Sequence, residues 1–139
     1  MMILAYIASI VFSCLLGMYD AMLYGRRGAE SFPWNEHIVL VLIRSMFPIA
    51  ILIGMNMSLG DWFFLATCYI FHYSFFHNGC YYVTRARIDQ MVLTPKNIWK
   101  NWTGYSTTDT SFIHFNYWMR TVQFAISLTI LIIILIYGY

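Results

Sequence analysis

Residues Asp61–Arg87, DWFFLATCYIFHYSFFHNGCYYVTRAR, decide the reading of the fold. From Asp61 to Tyr82 there is no lysine, arginine or glutamate, and the stretch is long enough to cross a bilayer. Yet it holds His72 near its middle, then His77 and Asn78, and it closes on Arg85 and Arg87. At ~1.5 Å per residue, His72 lies ~16 Å from Asp61, close to the centre of a ~30 Å hydrocarbon core. A titratable ring at that depth must face protein or water rather than lipid, which makes it a candidate functional group.

The rest of the chain shares this character. Of its 139 residues, 60% are hydrophobic and only 10% charged, with a mean hydropathy of +0.64. Soluble domains carry about 25% charged residues. The composition therefore predicts an all-α, polytopic integral membrane protein forming a single transmembrane domain. Four transmembrane helices are expected, at about 2–24, 37–58, 61–83 and 114–137, joined by short loops. The loop between the third and fourth is expected to be partly interfacial. The first segment, MMILAYIASIVFSC, lacks the basic n-region of a secretory signal and is expected to be a retained span.

Outward from the central stretch, each span adds one feature. The first carries a small residue at every fourth position: Ala5, Ser9, Ser13, Gly17, Ala21 and Gly25. Such a row lets a second helix approach closely, within the chain or between protomers. In the second span Pro48 follows Arg44 by four residues, so the Arg44 carbonyl loses its helical donor and a kink is expected. In the third, Tyr69, His72 and Phe76 share one face and Tyr73, His77 and Cys80 its neighbour. The fourth opens with Arg120 and Gln123 and continues as the apolar run FAISLTILIIILIY.

The basic residues orient the spans. Six of the eight, Arg26, Arg27, Arg85, Arg87, Lys96 and Lys100, fall in loops one and three. The positive-inside rule then places those loops in the cytoplasm and both termini outside, in an inner or plasma membrane. Together with Trp99 and Trp102 these bases are expected to contact lipid headgroups. Asp20, Arg44, His77, Asn78, His114 and Arg120 then share one polar layer in the cytoplasmic half of the bilayer. An Asp20–Arg44 ion pair is expected within it, since charges at that depth are costly unless paired or hydrated. A polar path across the membrane would also need His72.

Enzyme motifs are scarce. There is no Gly-rich phosphate loop, no HExxH and no GxSxG with a plausible triad, so an enzyme is not the favoured reading. Cys14, Cys68 and Cys80 form no CxxC pair, and neither a metal nor a cofactor is expected. The basic loops sit at a membrane, so no nucleic-acid partner is expected. His114 and Trp118 place an imidazole and an indole one turn apart, similar to the gate of the influenza proton channel over those two residues alone. The function expected is a small homo-oligomeric channel or transport protein with a histidine and arginine polar layer. The alternatives are an accessory subunit of a larger membrane complex and a membrane-embedded redox or lipid-modifying enzyme. The expected partners are the lipid bilayer and either further copies of the chain or that larger complex.

Overall fold

The computed structural model describes residues 1–27, 36–90, 94, 96, 102 and 117–137, with side chains for all of these except 24–27, 36–41 and 117. Among the described residues four helices account for the fold: α1 (Met2–Arg27), α2 (Glu36–Gly54), α3 (Leu59–Ile88) and α4 (Tyr117–Tyr137).

Local chemistry sets the helix ends. α2 stops at Gly54, short of the expected 58, because Ser58 starts the next helix. The Ser58 Oγ accepts from the Asp61 N–H at 3.1 Å, and its hydroxyl donates to Asp61 Oδ2 at 2.8 Å. This cap satisfies one N–H that a helix start leaves bare, and the carboxylate holds the Ser58 hydroxyl in place. Asn56, at φ 46°, turns the chain between the two helices in a conformation that asparagine tolerates. α3 runs on to Ile88, so Arg85 and Arg87 occupy its last turn instead of a loop. Cations are favourable there against the helix dipole. α1 likewise continues through Gly25 to Arg27, past the expected end at 24.

α3 is the axis of the bundle. α1 and α4 pack along much of it, and α2 touches it over a shorter stretch. Ser9 meets His72 and Asp20 meets His77, so α1 and α3 are parallel. Trp62 reaches Pro48 while Tyr69 reaches Arg44, so α2 runs antiparallel to α3. Phe124 stacks on Phe75 while Ser127 bonds Cys68, which makes α4 antiparallel as well.

The row of small residues on α1 packs within the chain. Ala5, Ser9, Ser13 and Ala21 are fully buried, and a Cβ on Gly17 would collide with the His77 carbonyl of α3. Aromatic pairs fill the other seams. Phe12 stacks on Phe47 at 4.3 Å between α1 and α2, and Phe75 on Phe124 at 4.9 Å between α3 and α4. Pro48 sits inside α2, and the carbonyl it cannot serve, that of Arg44, accepts instead from the Tyr69 hydroxyl at 3.4 Å.

Burial follows polarity in reverse. Ser9, Ser13, Asp20, His72, His77, Arg120 and Ser127 are buried, whereas Leu4, Val11, Met46, Ile53, Phe63, Ile70 and Ile136 are exposed. Among the described residues two helices, over Met2–Leu23 and Trp118–Tyr137, are long and apolar enough to cross a membrane. Length and composition thus give two candidate spans among the described residues, where four were expected. The apolar part of α2, Leu42–Gly54, is shorter. α3 has the length, at 30 residues, but His72, His77, Asn78 and its terminal arginines dilute its apolar character.

Candidate functional site

Two polar clusters lie inside the bundle. The first surrounds His72, which has no exposed surface. Helical spacing stacks Cys68 and His72 one turn apart on α3, while α1 supplies Tyr6 and Ser9 and α4 supplies Ser127. His72 Nε2 lies 3.0 Å from Ser9 Oγ, and Nδ1 lies 3.1 Å from Ser127 Oγ. Tyr6 Oη is also 3.1 Å from Ser127 Oγ.

Proton counting assigns these bonds. The Ser9 hydroxyl donates to the Tyr6 carbonyl at 2.7 Å, so Ser9 Oγ can only accept from His72, and Nε2 carries a proton. In a neutral ring Nδ1 then accepts from the Ser127 hydroxyl, and Tyr6 donates to Ser127 Oγ. That single Ser127 proton has a second acceptor, the Cys68 carbonyl at 3.0 Å. When Nδ1 is also protonated it donates to Ser127, whose hydroxyl turns to Cys68. Rotation of one hydroxyl therefore accommodates either charge state without leaving a ring nitrogen unsatisfied.

Ser127→Ala removes the common partner of His72 Nδ1 and Tyr6 Oη, both inside the bundle. It is expected to lower stability by about 1–3 kcal/mol, the cost of buried polar groups left unpaired. Equilibrium unfolding of the purified variant checks this, and an unchanged midpoint would refute the shared-hydroxyl assignment.

The second cluster joins all four helices. His77 Nε2 lies 2.9 Å from Asp20 Oδ2, and Arg44 Nη2 lies 3.6 Å from the same oxygen. Arg120 has donors only, so Asn78 turns its Oδ1 toward it and accepts from Nη2 at 2.9 Å and Nη1 at 3.2 Å. The Asn78 amide nitrogen then faces His77 Nδ1 at 3.3 Å and donates to it. Nδ1 is therefore an acceptor, and the ring proton sits on Nε2 toward Asp20. Rings close the side of the cluster: Tyr73 stacks on His77 with centroids 5.0 Å apart, and the Arg44 guanidinium lies 5.0 Å over Tyr73.

In this chain, Arg120–Asn78–His77–Asp20–Arg44, the orientation of Asn78 is tied to which His77 ring nitrogen carries the proton. A proton on His77 Nδ1 would face the Asn78 NH₂, so Asn78 must turn over. Its NH₂ would then face Arg120, donor against donor. Asn78 thereby links the α1–α3 contact at His77 to the α3–α4 contact at Arg120.

The remaining expected site residues divide. Asp20, Arg44, His77, Asn78 and Arg120 come together, whereas His72 belongs to the separate cluster. Tyr69, Tyr73 and Phe76 lie between the two, with Tyr69 and Phe76 edge-on to His72 at 5.9 Å each. Trp118 faces outward, 69% exposed, and His114 lies outside the described residues. Trp102, expected against headgroups, is half-buried and lies on Gly79, with its ring 6.0 Å from Phe75. Glycine at 79 leaves the space that the indole occupies. Lys96 and Arg87 are exposed, and Arg85 pairs with Asp89 at 3.8 Å. Trp99 and Lys100, and the side chains of Gly25, Arg26 and Arg27, lie outside the described part.

Tyr6 and Ser127 were absent from the expected set. The signal for Ser127 was periodic: Arg120, Ser127 and Ile134 are seven apart and share the buried face of α4. Among the described residues no three His, Cys, Asp or Glu side chains converge as a metal site. Comparison with protein-family models, with curated proteins and with solved structures gives no match to this chain.

Proposed function

We propose that the protein is an integral membrane protein of four spans acting as a small homo-oligomeric channel or transport protein. In this reading the Arg120–Asn78–His77–Asp20–Arg44 chain is its proton-responsive polar layer. The observation that carries the reading is that one hydrogen-bonded and ion-paired chain draws a charged or titratable side chain from every helix. Such groups are expensive in lipid and mark pathways and relays. Membrane residence is supported by the reversed burial pattern. The core helix of a soluble protein is mostly buried, yet only 33% of the apolar window of α1 and 22% of that of α4 are buried. The alternating helix directions put loops one and three at one end of the bundle, and the positive-inside rule assigns that end to the cytoplasm in this reading.

Reconstitution into liposomes with an imposed pH gradient tests this. Proton or ion flux that varies with pH is expected, and His77→Asn should abolish the pH dependence while the oligomer persists on size exclusion. Tight liposomes at every pH would refute autonomous transport.

A second reading, an accessory subunit of a larger membrane complex, is favoured by the filled interior. Among the described residues no hydrogen bond links the His72 cluster to the lower layer, and aromatic rings occupy the space between. The exposed apolar faces of α1 and α4 would then pack on the partner. Co-purification with one partner at fixed stoichiometry supports this reading, and a chain isolated alone from native membranes opposes it.

A further inference from the structure

A groove runs between α2 and α3. Two hydrogen bonds frame it: Trp62 Nε1 donates to the Pro48 carbonyl at 2.8 Å, and Tyr69 Oη donates to the Arg44 carbonyl at 3.4 Å. Between these pins the helices stand apart and leave an open groove of about 390 Å³, walled by Ile49, Ala66 and Ile70 among others. That volume falls within the range of small-ligand sites. Ala66 is the small residue on the α3 wall that leaves the gap open.

One end of the groove is charged. Arg44 lines it, and its side chain is 30% exposed. Its approach to Asp20, at 3.6 Å, is an ion-pair distance rather than a hydrogen bond. The Arg44 carbonyl is level with Tyr69, whereas its guanidinium lies over Tyr73, one turn further along α3. The side chain thus reaches ~5.4 Å toward the α2 N-terminus, the end of the bundle that also bears Arg26, Arg27, Arg85 and Arg87. A cluster of bases at one membrane surface draws anionic lipid.

We propose that this groove binds one acyl chain of an anionic phospholipid, with the phosphate on the Arg44 guanidinium and the chain running toward Trp62. The inference rests on the membrane reading above. Guanidinium matches phosphate geometry and remains charged in an apolar setting, so charge selects the headgroup and shape accepts the chain.

Trp62 is the reporter. The protein is placed in nanodiscs containing lipids brominated on the acyl chain, and the Trp62 signal is taken as the difference between wild type and Trp62→Phe. Brominated phosphatidylglycerol is expected to quench at a mole fraction roughly five-fold lower than brominated phosphatidylcholine, the advantage of one basic contact. Arg44→Gln should remove that preference. Ala66→Phe, which fills the groove and leaves Arg44 in place, should abolish Trp62-specific quenching by both lipids. Equal quenching by the two headgroups in wild type, or quenching that persists in Ala66→Phe, overturns the proposal. Extraction of the protein from membranes by alkaline carbonate would instead overturn the membrane reading beneath it.

Discussion

Replacing Asp20 by alanine is expected to lower stability by about 3–5 kcal/mol, the largest single effect in the bundle. The carboxylate is 4% exposed and is the shared partner of His77 and Arg44, on two other helices. Its removal leaves the buried His77 N–H without its acceptor and the partly exposed Arg44 guanidinium without its counter-ion. Asp20→Asn keeps the shape and an oxygen that can accept from His77, so it should cost clearly less than the alanine variant. Because the carboxylate is buried, salt should change neither result much. Unfolding in detergent, with the two variants compared at low and high salt, tests the ordering. An Asp20→Ala protein as stable as wild type would mean that the ion cluster contributes nothing to holding α1 on α3.

The second large effect is expected at Gly17. A methyl group there would strike the His77 carbonyl, which is backbone and cannot rotate away. Alanine ordinarily favours a helix interior over glycine by ~1 kcal/mol. Overpacking typically costs about 1–3 kcal/mol, and separation of α1 from α3 would also stretch the Asp20–His77 and Ser9–His72 bonds. Gly17→Ala should therefore be destabilising in spite of propensity, and Gly17→Leu should prevent the two helices from closing. Gly54 supplies the control, since nothing lies within 4 Å of a Cβ built there. Gly54→Ala should be neutral or stabilising, by up to ~1 kcal/mol. Similar responses at 17 and 54 would contradict the close approach of α1 to α3.

The largest departures from the sequence reading have local causes. α3 outran its expected end because arginine suits a helix C-terminus as well as a loop, so Arg85 and Arg87 could not mark the boundary by themselves. α2 ended early because Ser58 was read as the end of one helix when it caps the next. The packing of Trp102 on Gly79 was a further feature outside the sequence reading, since tryptophan among lysines reads in one dimension as an interfacial anchor. Gly79 provided the space for its ring, and nothing about an isolated glycine says which side chain will lie over it.

The chain's own sequence determined the helical class, the apolar runs in α1 and α4, the small-residue face of α1 and the identity of the polar residues that the bundle would have to bury. These follow from composition and from helical periodicity, which are properties of neighbouring positions. The tertiary structure alone decided that the polar residues form two clusters, that Asn78 stands between Arg120 and His77, and that Tyr6 and Ser127 complete the surroundings of His72. The pairings around His72 alone span 55 to 121 positions of sequence. They depend on how far each helix is rotated and shifted against α3. A shift of a single residue turns a helical face by ~100°, so the same polar residues could have met different partners, and only the packed bundle selects among them.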